Sequence, residues 1–158
     1  MGHRPEDFMR HAIDLAVENV RTGTGGPFGA VVVKAGNVVA TGVNLVTSTN
    51  DPTSHAEVVA IRAACRTLSS FQLRDCEIYT NCEPCPMCLG AIYWARLARF
   101  YYACSRENAA AIFFDDQFIY DELPLAPEKR SIPGARLLST EGLAAFEVWT
   151  ASARRTPY

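Results

Sequence analysis

With 158 residues, 49% of them apolar and 20% charged, the chain has the length and composition of one globular domain able to bury a core, which argues against disorder. Fifteen basic side chains against seventeen acidic ones leave a net charge of -2, which gives no bulk pull toward nucleic acid or an anionic membrane. No run approaches the roughly 18 apolar residues of a membrane span, and MGHRPEDFMR lacks an apolar signal core, so a cytoplasmic protein without a membrane partner is expected.

In chain order, Pro5 opens a first helix whose apolar positions Met9, Ile13, Ala16, Val17 and Val20 recur at helical spacing and stop at Gly23, Gly25 and Gly26. Ala30 to Val33 and Val38 to Val43 read as a hairpin joined through Lys34-Ala35-Gly36-Asn37, with Asn44 at its far end. Ser54 to Leu68 is a helix, Cys76 to Thr80 a buried strand, and Pro86 to about Ala95 a further helix. Arg99 to Ala103 and Ala135 to Leu138 are strands, and Leu143 to Ala153 is a last helix. Strands alternating with helices imply an α/β layered fold.

Six cysteines, at 65, 76, 82, 85, 88 and 104, cluster in a way that points to metal rather than disulfides in a cytosolic chain. A catalytic Zn²⁺ keeps three protein ligands and leaves its fourth tetrahedral position for water. His55, Cys85 and Cys88 supply three ligands of the preferred kinds. Pro86 at a helix start sets both sulfurs toward one point, and two helix N-termini there stabilise thiolates and an activated water. Glu57, two residues after His55, supplies the carboxylate that moves the proton of that water. Against this stands a capping box, Ser54-x-x-Glu57. Cys82 as a fourth ligand would instead close the site into a non-catalytic zinc scaffold. His3, in the N-terminal stretch, and His11, on the polar side of the first helix, are expected in solvent; Cys65, Cys76 and Cys104 read as small core residues.

HAE at 55 to 57 followed by PCPMC at 84 to 88 matches the HxE and PCxxC signature of zinc nucleobase deaminases. With GGPFGAVVV at 25 to 33, NDPTSHAE at 50 to 57, CEPCPMCLGAIYWAR at 82 to 96 and FDDQFIY at 114 to 120, the chain resembles bacterial guanine deaminases of the cytidine/deoxycytidylate deaminase superfamily. That resemblance implies one three-layer α/β/α cytidine-deaminase-like domain over 1–158 with a central mixed five-stranded sheet, and a homodimer exchanging C-terminal segments. It implies Zn²⁺ as cofactor and a purine base as substrate, most directly guanine going to xanthine and ammonia in purine catabolism. Under it Asn44 hydrogen-bonds the purine, Phe28 and His55 sandwich the ring, the Ala56 backbone contacts the reacting edge, Asp116 assists Glu57, and Tyr158 closes over the base.

The residues alone leave blander readings open: Phe28 as a core aromatic, Asn44 as a turn residue, Asp116 as a helix N-cap, Tyr158 as a frayed end. Among enzymes, a guanosine or other nucleoside deaminase and an aminotriazine deaminase share the signature. A tRNA adenosine deaminase does too, but it would need a basic footprint, and only Arg154 and Arg155 near the end cluster.

Overall fold

The computed structural model describes residues 4–158, so the reading of His3 lies outside the described residues. They separate into two compact units, one ending at Asp116 and the other running from Gln117 to Tyr158. In the first, α1 (Pro5–Arg21) precedes the strands β1 (Gly29–Lys34) and β2 (Asn37–Val43). A short α2 (Val46–Thr49) follows, then α3 (Ala56–Leu68), β3 (Cys76–Cys82), α4 (Pro86–Trp94), β4 (Arg99–Cys104) and α5 (Arg106–Ala110). The second carries α6 (Gln117–Glu122), two short 3₁₀ turns and α7 (Ala144–Ala151).

The sheet runs β2-β1-β3-β4, antiparallel at its first two junctions and parallel at the β3/β4 junction. Alternation along β1 divides the core. Ala30 and Val32 point with Ile78 of β3 into a cluster built with Ala56, Ala60 and Ala64 of α3 and Ile92 of α4. Val31 and Val33 point the other way, with Tyr79, onto Phe8 and Ala12 of α1. The expected α/β/α layering is therefore present in the first unit.

The sheet has four strands, not five. Ala135–Leu138, expected as the fifth, is irregular: Leu138 takes φ 50°, a left-handed conformation outside the extended region of a regular strand, and Leu137 and Leu138 are exposed. Four residues after Pro133-Gly134 are too few to hold a strand without a neighbour, and the second unit contains no other strand.

The buried face of α1 also differs from the apolar stripe in its sequence. Ala12, Ala16, Phe8 and Asn19 face inward, whereas Ile13, Val17 and Val20 are exposed. Backbone proximity decides this, because α1 comes so near the sheet that its Ala12 carbonyl occupies the space a side chain at position 29 would need, and only small residues fit between them. His11 is exposed, as expected. The hairpin turn shrinks to Ala35-Gly36, since Lys34 and Asn37 already pair.

Gly42 of β2 fixes the start of α3, because a methyl group there would collide with the Ala56 carbonyl. The C-terminal ends of β2, β3 and β4 and the N-terminal end of β1 all lie at the same edge of the layers, since Gly29 pairs with Val43 and Cys82 with Cys104. No helix of the described residues is long and apolar enough to cross a membrane.

Candidate active site

The residues from which the site grows are loop and helix-start positions at that common edge. His55 is the N-cap of α3 and Cys85 the N-cap of α4, both with extended backbone, and Pro86 occupies the first turn of α4, where its missing N–H costs nothing. Cys88 follows one turn along and is fully buried. The Ser54 capping box does not form: the Ser54 hydroxyl donates to Asp51 Oδ2 at 2.7 Å, and His55 takes the cap position instead. Hydrogen bonds from the Ser54 hydroxyl, then the Thr53 hydroxyl and Thr53 N–H, hold the Asp51 carboxyl down at about 2. This ionised turn sets the approach of the chain to His55.

His55 Nδ1 stands 3.5 Å from Cys85 Sγ and 3.5 Å from Cys88 Sγ. Zn–N and Zn–S bonds of about 2.0 and 2.3 Å at tetrahedral angles put ligand nitrogen and sulfur about 3.5 Å apart. One imidazole nitrogen equidistant from two sulfurs thus describes two edges of a coordination tetrahedron, and the three side chains fit Zn²⁺ with one vertex left over. Among the described residues this is the one group of three or more histidine, cysteine or acidic side chains whose ligand atoms converge, all within 4.8 Å. Cys82 does not join it. Its thiol faces the Ser105 carbonyl at 3.7 Å and burial pushes it up to about 11. The closed four-ligand site built on Cys82 is accordingly absent.

Electrostatics match the ligand assignment. Cys85 is pulled down to about 4, first by the Cys88 thiol that donates to it, against the opposing cost of burial, and then by His55. Cys88 moves the opposite way because it is that donor and is buried. One hydrogen bond thus moves the two thiols in opposite directions, and a bound metal requires both as thiolates. His55 is raised, foremost by its hydrogen bond with Cys85. The Glu57 carboxyl is buried, and desolvation raises it above the ordinary carboxylate range while it hydrogen-bonds the Cys88 thiol.

Glu57 thus stands beside the metal-ligand cluster, and Asp116, also raised by burial, lies within electrostatic reach of Cys85. Ala56 opens α3, so its N–H belongs to the first-turn donors that a helix leaves unpaired internally. Asn44 is buried and Phe28 half-buried, and the Asn44 N–H donates to the Phe28 carbonyl at 3.0 Å. Tyr158 ends the second unit and is 71% exposed.

Three features escaped sequence reasoning. Phe114 sets its ring edge-on against Phe28 at 4.9 Å and 89°. Glu83 ties the loop before Cys85 to the end of β4, donating its N–H to the Cys104 carbonyl at 2.8 Å and accepting from the Arg106 N–H at 3.2 Å. Asn81 and Asn19 bind the backbone around Phe28. An aromatic beside Asp115-Asp116 and a glutamate inside the cysteine motif were visible signals; an asparagine that bonds backbone groups leaves none.

Residues 3–104 match the cytidine and deoxycytidylate deaminase zinc-binding region. The chain belongs to this deaminase family. It is 52% identical to guanine deaminase of Bacillus subtilis over 158 residues, the whole of both chains. The X-ray structure of the Bacillus subtilis guanine deaminase superimposes with a TM-score of 0.97 over 99% of each chain, at 51% identity. A tRNA-specific adenosine deaminase of Haemophilus influenzae is 38% identical over 117 residues, 70% of this chain and 67% of that one. The fold is that of the cytidine-deaminase-like zinc hydrolases, and Zn²⁺ is the metal that the deaminase's His55, Cys85 and Cys88 suit.

Proposed function

We propose that this zinc hydrolase converts guanine and water into xanthine and ammonia, in the cytosol, where reducing conditions suit its six free cysteines. The observation that carries the reading is the Glu57 carboxyl buried against a three-ligand cluster with one vertex to spare. Full-length likeness to a guanine deaminase selects guanine from the amino-bearing rings.

Bound zinc, held by His55, Cys85 and Cys88, supplies a polarised water whose pKa falls to about 7. Glu57 accepts a proton from that water and delivers it to the ring nitrogen beside C2. The water oxygen bonds to C2 as the double bond between C2 and that ring nitrogen opens; Glu57 or Asp116 then carries the oxygen's remaining proton to the exocyclic amine, whose bond to C2 breaks as the C2 carbonyl forms and ammonia leaves. Phe28 and the His55 ring sandwich the purine, Asn44 hydrogen-bonds its edge, the Ala56 backbone meets the reacting side, and Tyr158 closes over it.

The chain works as one deaminase domain per subunit of a homodimer in which residues 117–158 are exchanged. None of these residues is buried, and Phe118, Ile132, Leu137, Phe146 and Val148 are all more than 60% exposed, so the segment has no core of its own. Sedimentation should give a dimer, and a stable, active monomer would end that part of the reading.

Given guanine, guanosine, adenine, cytosine, cytidine and aminotriazines, the zinc-loaded protein should release ammonia fastest from guanine. Faster turnover of guanosine would move the assignment to nucleosides. Silence with every compound, zinc being bound, would leave a scaffold.

A further inference from the structure

The loop from Gly25 to Gly29, between α1 and β1, is gripped from two sides by asparagines. The Asn81 amide, at the end of β3, donates through Nδ2 to the Pro27 carbonyl at 2.9 Å and accepts the Gly29 N–H on Oδ1 at 2.8 Å. Pro27 can only accept and the Gly29 N–H can only donate, so both partners fix the same orientation of the amide. It therefore bridges the peptide groups on either side of Phe28. From α1, the buried Asn19 donates its Nδ2 to the Gly26 carbonyl at 2.8 Å and to the Asn44 carbonyl at 2.9 Å. Phe28 completes the arrangement: its N–H donates to Gly26 and its carbonyl accepts from Asn44. Gly25 is packed so closely on the Asn44 carbonyl that any side chain there would collide with it.

We infer that Asn81 and Asn19 are positioning residues that hold Phe28 and Asn44 in the geometry that stacks and reads the purine, an inference resting on the substrate roles proposed above for those two. The backbone on both sides of Phe28 has its polar groups spoken for, and the Phe114 ring limits the remaining freedom of the aromatic side chain. Such a ring is ordered before substrate arrives, and binding does not have to supply the ordering. The metal ligands stand on α3 and α4, outside this loop, so the clamp acts on substrate affinity and leaves the chemical step alone.

The test compares folded, zinc-loaded Asn81→Ala and Asn81→Asp with the parent protein. Asn81→Asp keeps the acceptor for Gly29 but sets a carboxylate against the Pro27 carbonyl. For both, KM for guanine should rise about ten-fold or more. Xanthine should bind more weakly in calorimetry by a similar factor, with zinc content unchanged and kcat held within about three-fold. Unchanged KM and xanthine affinity overturn the inference. Should Asn81→Ala fail to fold, Asn81→Asp alone carries the measurement, since it keeps the acceptor for Gly29; collapse of both variants would mark a scaffold residue and overturn the inference too. In a Phe28→Ala background Asn81→Asp should add little to KM, and a fully additive penalty would show that the clamp acts elsewhere. If Phe28→Ala itself leaves KM unaltered, it is the stacking role of Phe28 that fails, and the clamp has nothing to position.

Discussion

Glu57→Gln should keep its full zinc content and its affinity for xanthine, yet lose about 10²- to 10⁴-fold in kcat for ammonia release from guanine, the range that a positioned acid-base group contributes. Glutamine preserves the length and most of the shape of the side chain, so the packing of the α3 start on β2 through Gly42 is not disturbed. What disappears is the ability to take a proton and return it. The role proposed for Glu57 rests on its burial, which raises its carboxyl, and on its contact with the Cys88 thiol in the ligand cluster. A bound cation would oppose the effect of burial on that carboxyl. Turnover at the parental rate in a zinc-loaded Glu57→Gln protein would remove Glu57 from the reaction and leave Asp116 to carry both proton transfers.

The metal site was readable because its information is local and chemical. His55, Cys85 and Cys88 are rare residue types in the spacing zinc uses, and Pro86 announces the helix that aims two sulfurs at one point. The α/β layering also followed from strand and helix alternation, apart from the absent fifth strand. Where the reading failed, a contact remote in sequence had decided the outcome. Ile13, Val17 and Val20 make a plausible apolar stripe, but the sheet comes so near α1 that Ala12 and Ala16 face it instead. Ser54 carries the right type for a capping box, yet Asp51 captures its hydroxyl. Asn19 and Asn81 bind carbonyls seven and fifty-four residues away, and no periodicity marks such a bond.

Cys88→Ala should abolish zinc retention and with it about 10³-fold or more of the activity, since the lost polarisation of water is worth several kcal/mol. The thiol is fully buried and belongs to a cluster joining the first turns of two helices, so its removal also uncouples the starts of α3 and α4. A metal present at about a hundred times its dissociation constant stabilises the folded state by nearly 3 kcal/mol, which for a chain of this size corresponds to a Tm loss of roughly 6–12 °C without it. Chelation of the parent protein should reproduce that loss and zinc should reverse it, whereas the Tm of Cys88→Ala should respond to neither. Cys82→Ser supplies the contrast. Its thiol faces the Ser105 carbonyl and lies outside the cluster, so this variant should keep both metal and turnover. Loss of zinc from Cys82→Ser would mean that a fourth sulfur reaches the metal in solution, and the vertex reserved for water would no longer exist.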